Sequence, residues 1–203
     1  MATIHLVSPY WALVLAGAQS TTINESRRDI VNILDAAGAK ATFFVPATYN
    51  DRIYSTDAQK RLKYVYAHSH QIGSSTWSYR DMTTLSEQEI IDKASKTTVC
   101  PPYGSYKQWV QDVMSSRCQA IALRDMKVGD STGATPDQSK VAIDKIASKA
   151  PNNIFVELLE IETTAQVVLP YAIENFHRFH SRNALRMLGR HSHVPDNCRT
   201  KYP

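Results

Sequence analysis

Short β-branched and aromatic runs alternate along the chain with longer stretches in which apolar residues recur every three or four positions. Trp11 to Leu15 reads as a strand, Asn24 to Ala37 as a helix ended by Gly38, and Ala41-Thr42-Phe43-Phe44-Val45 as a buried strand. From Thr56 to His68 the residues Leu62, Val65 and Tyr66 fall at helical spacing, and Gln71 to Ser74 supplies the next strand. Ser86-Glu87-Gln88-Glu89 has the form of a capping box opening a helix that carries Ile90 and Ile91. Further on, Trp109, Val110, Val113 and Met114 share a helical face, and Ala120-Ile121-Ala122-Leu123 reads as a strand. Thr135 before Pro136 starts another helix, because a hydroxyl cap and a first-turn proline both suit an N-terminus. Ile154 to Leu159 is then a strand, Thr164 to Phe179 a helix, and Leu185 to Leu188 a short last strand. Such βα alternation requires a parallel sheet covered by helices, and periodicity alone admits either a barrel or an open doubly wound sheet.

The apolar run Leu13 to Ala18 ends in an Ala-x-Ala pattern, but no Lys or Arg precedes it, so a buried strand is preferred to a signal-like segment. No stretch of about 18 uninterrupted apolar residues predicts a membrane span. Neither an internal repeat nor a linker divides residues 1–203, and a single domain is expected. The content of 43% hydrophobic and 21% charged residues excludes disorder, collagen and a coiled coil. A net charge of +4 is scattered without a basic block, which argues against nucleic acid and anionic membrane as partners. Three cysteines, at positions 100, 118 and 198, match neither a disulfide framework nor paired metal-ligand spacing. A Gly-rich phosphate loop, a Gly-x-Ser-x-Gly elbow and a Cys-x-x-Cys pair are all missing, so nucleotide-binding, serine-esterase and zinc-ribbon readings have no support.

Several segments, in order, resemble the polysaccharide deacetylases of carbohydrate esterase family four, and among them the fungal chitin deacetylases. Gly38 to Val45 is similar to the second-strand signature of that family, and Gln71-Ile72-Gly73-Ser74-Ser75-Thr76-Trp77-Ser78-Tyr79 through Ser86 to its second motif. Cys100-Pro101-Pro102-Tyr103-Gly104 resembles the third motif, Gly129 to Pro136 the segment after the fourth, and Glu162-Thr163-Thr164-Ala165 with Val168-Leu169-Pro170 the segment after the fifth. The resemblance covers Trp11 to Gly189 and implies an α/β fold, a distorted (β/α) barrel. Between Lys96 and Cys100 the chain is shorter than the family pattern, which would leave the barrel incomplete and an edge for a second copy to cover.

The chemistry that the resemblance implies uses a divalent metal held by an aspartate and two histidines, a second aspartate as base, a late histidine as acid and an arginine that holds the base. Aligned on the motifs, the two aspartates are Ala16 and Gly17, the two histidine ligands are Ser75 and Tyr79, and the arginine is Cys100. No histidine stands near Leu158-Leu159-Glu160 to serve as the acid. The resemblance thus implies a degenerate relative without catalytic residues, metal or other cofactor. What persists is a groove lined by Trp77, Tyr79, Pro101, Pro102, Tyr103 and Asp125, suited to chitin or another N-acetylated glycan. The Tyr103 backbone N–H, aimed in the family at the acetyl oxyanion, needs no side chain to persist. An extracellular or cell-wall location follows from the resemblance alone.

Two other functional classes remain. One is an active metal-dependent N-deacetylase, with zinc or another divalent ion on substitute ligands drawn from His68, His70 and Asp125. The other is a non-catalytic interaction or structural protein. Among single features, Trp77 and Tyr103 are either sugar-stacking faces or core aromatics. Cys100 is a thiol nucleophile only with an imidazole such as His68 or His70 beside it, and otherwise a buried inert cysteine. His68 and His70 would share a strand face, and His177 and His180 a helix face near a C-terminus where cations suit the dipole. Glu157, Glu160 and Glu162 form an acidic run that reads as a solvated strand end before it reads as an acid-base pair. Asn24-Glu25-Ser26 is a glycosylation sequon that acquires meaning only in a secreted chain.

Overall fold

The structure is a computed structural model that describes residues 11–16, 23–48, 53–93, 98–149 and 154–180. Its elements run β1 (Trp11–Ala16), α1 (Ile23–Ala36), β2 (Ala41–Val45), α2 (Thr56–Ala67), β3 (Gln71–Ser74), α3 (Glu87–Lys93), α4 (Gln108–Ser116), β4 (Met126–Lys127), α5 (Pro136–Ser148), β5 (Ile154–Leu159) and α6 (Leu169–His180). The fold is α/β, and the strands form one five-stranded sheet in the order β3-β2-β1-β5-β4 with every pair parallel. No described helix is long and apolar enough to cross a membrane.

Period-two alternation divides the sheet into two chemistries. Ala41 and Phe43 of β2 and Val156 and Leu158 of β5 pack with Ile30, Leu34, Ile143, Ile146 and Leu169 from the covering helices. The opposite face is smaller: Phe44, Cys100 and Ala122 form a buried cluster with Phe155 against it. Glu157 falls between Val156 and Leu158 on β5, and the pleat turns it away from the helices. A third cluster joins Met82, Leu85 and Ile90 to Val110, Val113 and Met114 of α4 over Val99 and Ile121.

Hydrogen bonding continues beyond the β3 edge, across the shortened segment. Ser74 donates to the Thr98 carbonyl at 3.0 Å and Cys100 to the Ser74 carbonyl at 2.8 Å. Val99 donates to Ala120 at 2.9 Å and Ala122 to Val99 at 2.8 Å, so the isolated bridges Ser74–Val99 and Val99–Ile121 are both parallel. The strand expected at Ala120–Leu123 is therefore only a bridge at Ile121, and the longer pairing of this segment comes later, at Met126–Lys127 against β5. Lys96 lies outside the described residues, as does the strand expected at Leu185–Leu188.

Local signals explain most helix ends. Ser86 and Glu89 form the expected capping box, with Ser86 N–H to Glu89 Oε2 at 2.9 Å and Glu89 N–H to Ser86 Oγ at 3.3 Å. Thr135 and Gln138 form a second box around Pro136. The helix expected from Thr164 is present but begins as a π turn over Thr164–Val168, with Leu169 N–H reaching Thr164 O. The widened turn stands just before Pro170, whose ring crowds the preceding carbonyls and which has no N–H to give. Buried Arg27 of α1 pairs with Glu160 just after β5, tying the first helix to the last strand. Cys118 is disulfide-bonded while Cys100 is free and buried, a division that cysteine count and spacing did not decide.

Gly73 is the tightest point of the sheet, because a Cβ there would lie 2.5 Å from Cε1 of fully buried Phe44. Gly73→Ala is expected to destabilise by about 1–3 kcal/mol through overpacking, read as a lowered midpoint in urea unfolding.

Candidate functional site

The site residues stand beyond the C-terminal ends of the parallel strands, where open α/β sheets bring loops together. Ser75 follows β3 and is buried, its N–H donating to the Val45 carbonyl at 3.1 Å. Thr76 and Trp77 are held by the segment after β2, with Ala47 N–H on Thr76 O at 3.3 Å and Thr48 N–H on Trp77 O at 2.9 Å. This stitching presents the Trp77 ring at the surface, 42% exposed, with the 71% exposed Tyr54 ring 6.1 Å away. Tyr79 packs edge-on against Tyr103 at 5.4 Å, and Tyr103 is itself 60% exposed. Pro101 and Pro102 are buried behind them. Trp77 and Tyr103 are thus rim aromatics, not core.

Among the described residues five non-glycines have positive φ, and Thr76 (64°), Tyr79 (55°) and Tyr103 (59°) all belong to this rim. Left-handed backbone is rare outside glycine and a true outlier for a β-branched threonine; such strain collects at functional sites.

Below the rim lies a charge that sequence reasoning placed in solvent. Glu157 is buried and its Oε2 is 2.6 Å from Arg124 Nε. Burial raises its carboxyl above the usual carboxylate range, against the opposing pull of Arg124 and Lys127. Arg124 also donates through Nη2 to the Tyr103 carbonyl. Burial, with Glu157 adding to it, pushes the Tyr79 hydroxyl up to about 12 and the Cys100 thiol up to about 12. Both groups therefore stay protonated at neutral pH. Glu160 is also buried, its carboxyl raised by desolvation despite Arg27, whereas Glu162 is exposed. The solvated strand end expected for this run holds only for Glu162.

Asp125 takes a different place from the rim residues. It is exposed and pins the start of β5, accepting from Phe155 N–H at 2.9 Å and donating its own N–H to Phe155 O at 2.9 Å. At the other end of β5, the rim end, the acid is Asp130, which accepts from Leu159 N–H at 2.6 Å and Thr164 Oγ1 at 2.9 Å. Burial raises its carboxyl and these donors oppose the rise. Asp130, Glu157, Arg124 and Tyr54 were not singled out as groove residues from sequence; strand alternation would have turned Glu157 inward, but no local pattern marks the other three.

The two histidines offered as substitute ligands lie at the opposite strand end. His68 caps α2 and His70 precedes β3, so they do not share a strand face. Both turn to Asp35 of α1, His68 Nδ1 in contact with Oδ2 and His70 Nε2 3.5 Å from Oδ1, while Lys40 Nζ lies 2.6 Å from Oδ1. Asp125 is not in this group, and among the described residues no three His, Cys, Asp or Glu side chains converge on a metal-sized site. Cys100 has Glu157, Arg124 and Lys127 as its charged neighbours and no imidazole. Gly17 lies outside the described residues, and of His177 and His180 only the helical backbone is described. Asn24 and Ser26 fall in α1, with Ser26 buried.

The aromatic rim stands at the strand C-termini of a parallel α/β sheet, the end at which such folds bring their loops together. Residues 17–117 match the family model for polysaccharide deacetylase. The chain is a polysaccharide-deacetylase-like protein. It is 28% identical over 145 residues to a probable peptidoglycan-N-acetylglucosamine deacetylase of Arthroderma benhamiae, spanning 33% of that protein's length. The chitin deacetylase of Colletotrichum lindemuthianum has a similar fold at TM-score 0.73 and 18% identity, covering 84% of this chain and 82% of that one. A CE4 family pseudoenzyme from Bacillus anthracis matches at TM-score 0.69 and 18% identity, over 86% of this chain and 62% of that one.

Two measurements test the site chemistry. In the folded protein Cys100 is expected to resist iodoacetamide at pH 8 and to react fully once unfolded, read by mass spectrometry, because the thiolate is the nucleophile. Burial holds the His70 imidazole down at about 4, with Lys40 adding to the fall and Asp35 opposing it. Between pH 6.5 and 4 the unfolded chain binds the extra proton, so this group's stabilising share falls as pH falls, by about 3 kcal/mol in all. The stability difference between wild type and His70→Asn, followed by urea unfolding across that window, should shrink accordingly.

Proposed function

We propose that this chain is a non-catalytic glycan-binding member of the deacetylase-like proteins, its groove adapted to hold N-acetylated polysaccharide such as chitin oligosaccharide. The observation that carries the reading is the pair of exposed aromatics Trp77 and Tyr103, with half-buried Tyr79 edge-on against Tyr103 and Pro101 and Pro102 buried beside them, at a place where no three His, Cys, Asp or Glu side chains converge among the described residues. Flat aromatic faces suit the apolar face of a pyranose ring, and the strained Thr76, Tyr79 and Tyr103 backbones hold the faces in one arrangement. On this reading Asp125 leaves the groove and serves the backbone of β5.

A catalytic divalent ion does not fit the side chains at the aligned positions. Zinc sites of hydrolases use imidazole, carboxylate or thiolate donors. Ser75 supplies a neutral hydroxyl, Tyr79 a phenol whose proton stays on up to about 12, and Cys100 a thiol equally reluctant to ionise. The charged pair on the floor is Arg124–Glu157, an ion contact of 2.6 Å between Nε and Oε2. Several catalytic positions differ together, so restoring one ligand, as in Ser75→His, is expected to leave the protein inactive.

The rungs from Ser74 through Val99 to Ile121, followed by the β4–β5 pairing, support a small distorted barrel of six parallel units. Closure of this kind leaves no β3 edge for a second copy to cover. The disulfide at Cys118 favours an oxidising compartment such as the cell exterior.

Titration with chitin oligosaccharides, followed by tryptophan fluorescence and calorimetry, tests the reading. Trp77→Ala is expected to weaken binding at least about tenfold, or ~1.4 kcal/mol. Absence of binding at millimolar ligand removes the glycan role, and chelator-sensitive acetate release from the same oligosaccharides restores the enzymatic one.

A further inference from the structure

Arg124 makes two contacts that join the floor of the site to its rim. Its Nε lies 2.6 Å from buried Glu157 on β5, and its Nη2 donates to the Tyr103 carbonyl. The guanidinium occupies the space beside Gly104, where a Cβ would come within 2.6 Å of Nη2, 2.7 Å of Cζ and 2.9 Å of Nη1. Tyr103 belongs to the turn Pro102–Gly104, which bends through positive φ at both Tyr103 (59°) and Gly104 (71°). Within the turn, Gly104 N–H reaches Pro101 O at 3.0 Å and Ser105 N–H reaches Pro102 O at 3.1 Å. Those two bonds close the turn but leave the Tyr103 peptide, on which the exposed ring depends, to be fixed from outside.

We infer that Arg124, anchored by Glu157, is the positioning residue of the aromatic rim: it clamps the strained Tyr103 peptide and thereby sets the Tyr103 ring against Tyr79. A guanidinium suits this task because its planar fork serves two acceptors at once, whereas an ammonium is a single point charge. Glu157 supplies the anchor because a buried carboxylate has no competing water and keeps the arginine in one rotamer. The clamp's consequence for ligand rests on the glycan reading above. The clamp itself does not.

The test is a fluorotyrosine label at position 103, observed by 19F NMR in the full chain, in wild type, Arg124→Met, Glu157→Gln and the double variant. Each single substitution should shift and broaden the Tyr103 resonance, and the double variant should do no more than either single one, because both remove the same clamp. Arg124→Lys keeps a cation for Glu157 and covers the case in which Arg124→Met does not fold. It should leave the thermal midpoint within a few degrees of wild type yet reproduce the Tyr103 shift, a separation that a merely stabilising ion pair does not give. An unchanged Tyr103 signal in Arg124→Lys, or additive effects in the double variant, overturns the inference. Chitin oligosaccharide affinity, measured in parallel, should fall about fivefold or more in Arg124→Lys. If wild type binds no oligosaccharide the glycan reading fails, while the 19F outcome still decides the clamp.

Discussion

A carboxylate buried on the inner face of a parallel sheet must be answered, and the arrangement around Glu157 is the answer. Removing a charge from water costs several kcal/mol unless a partner and hydrogen bonds compensate. Arg124 supplies the partner, and reaching it requires a glycine at 104, which in turn fixes the turn that carries Tyr103. Burial, with this negative charge adding to it, keeps the nearby Tyr79 hydroxyl and Cys100 thiol protonated, so the floor offers neutral donors around one internal ion pair. The chemistry of the site thus descends from one strand position.

The helix-facing side follows simpler physics. Val156 and Leu158 meet the apolar stripes of α1, α5 and α6, and Arg27 closes over Glu160 where β5 ends. A second polar knot at the opposite strand end, Asp35 with Lys40, His68 and His70, joins α1, β2 and β3 without reaching the rim. The two networks divide the labour: one orders the layer contacts and the other orders the aromatic rim.

Much of the fold was legible in the sequence because its signals are local. The capping box at Ser86, the hydroxyl cap and proline at Thr135-Pro136, the Phe43-Phe44 strand and the βα rhythm each depend on residues a few positions apart. The sites that were misread depend on distant partners. Asp125 looked like a groove acid because its neighbours resemble a motif, yet its carboxylate answers Phe155 N–H, thirty residues away. Glu157 looked solvated because acidic runs usually are, although its place between Val156 and Leu158 sets it on the opposite face, and the pairing of β5 between β1 and β4 covers that position on both sides. His68 and His70 were read as strand neighbours, but α2 and the turn after it claim the first of them. Short strands such as Met126–Lys127 carry too few residues for any periodicity to register.

Gly104 and Arg124 illustrate how neighbouring positions come to depend on each other's history. Any side chain at 104 would occupy the space of the guanidinium, and the positive φ of 71° already favours glycine there, so an arginine at 124 adds a second constraint to a position the backbone restricts by itself. Conversely, an arginine entering at 124 could settle only in a lineage that already had the glycine. The pair therefore behaves as an evolutionary ratchet: once both are present, the order in which they can be exchanged is restricted, and drift at this corner of the protein runs along a narrow path.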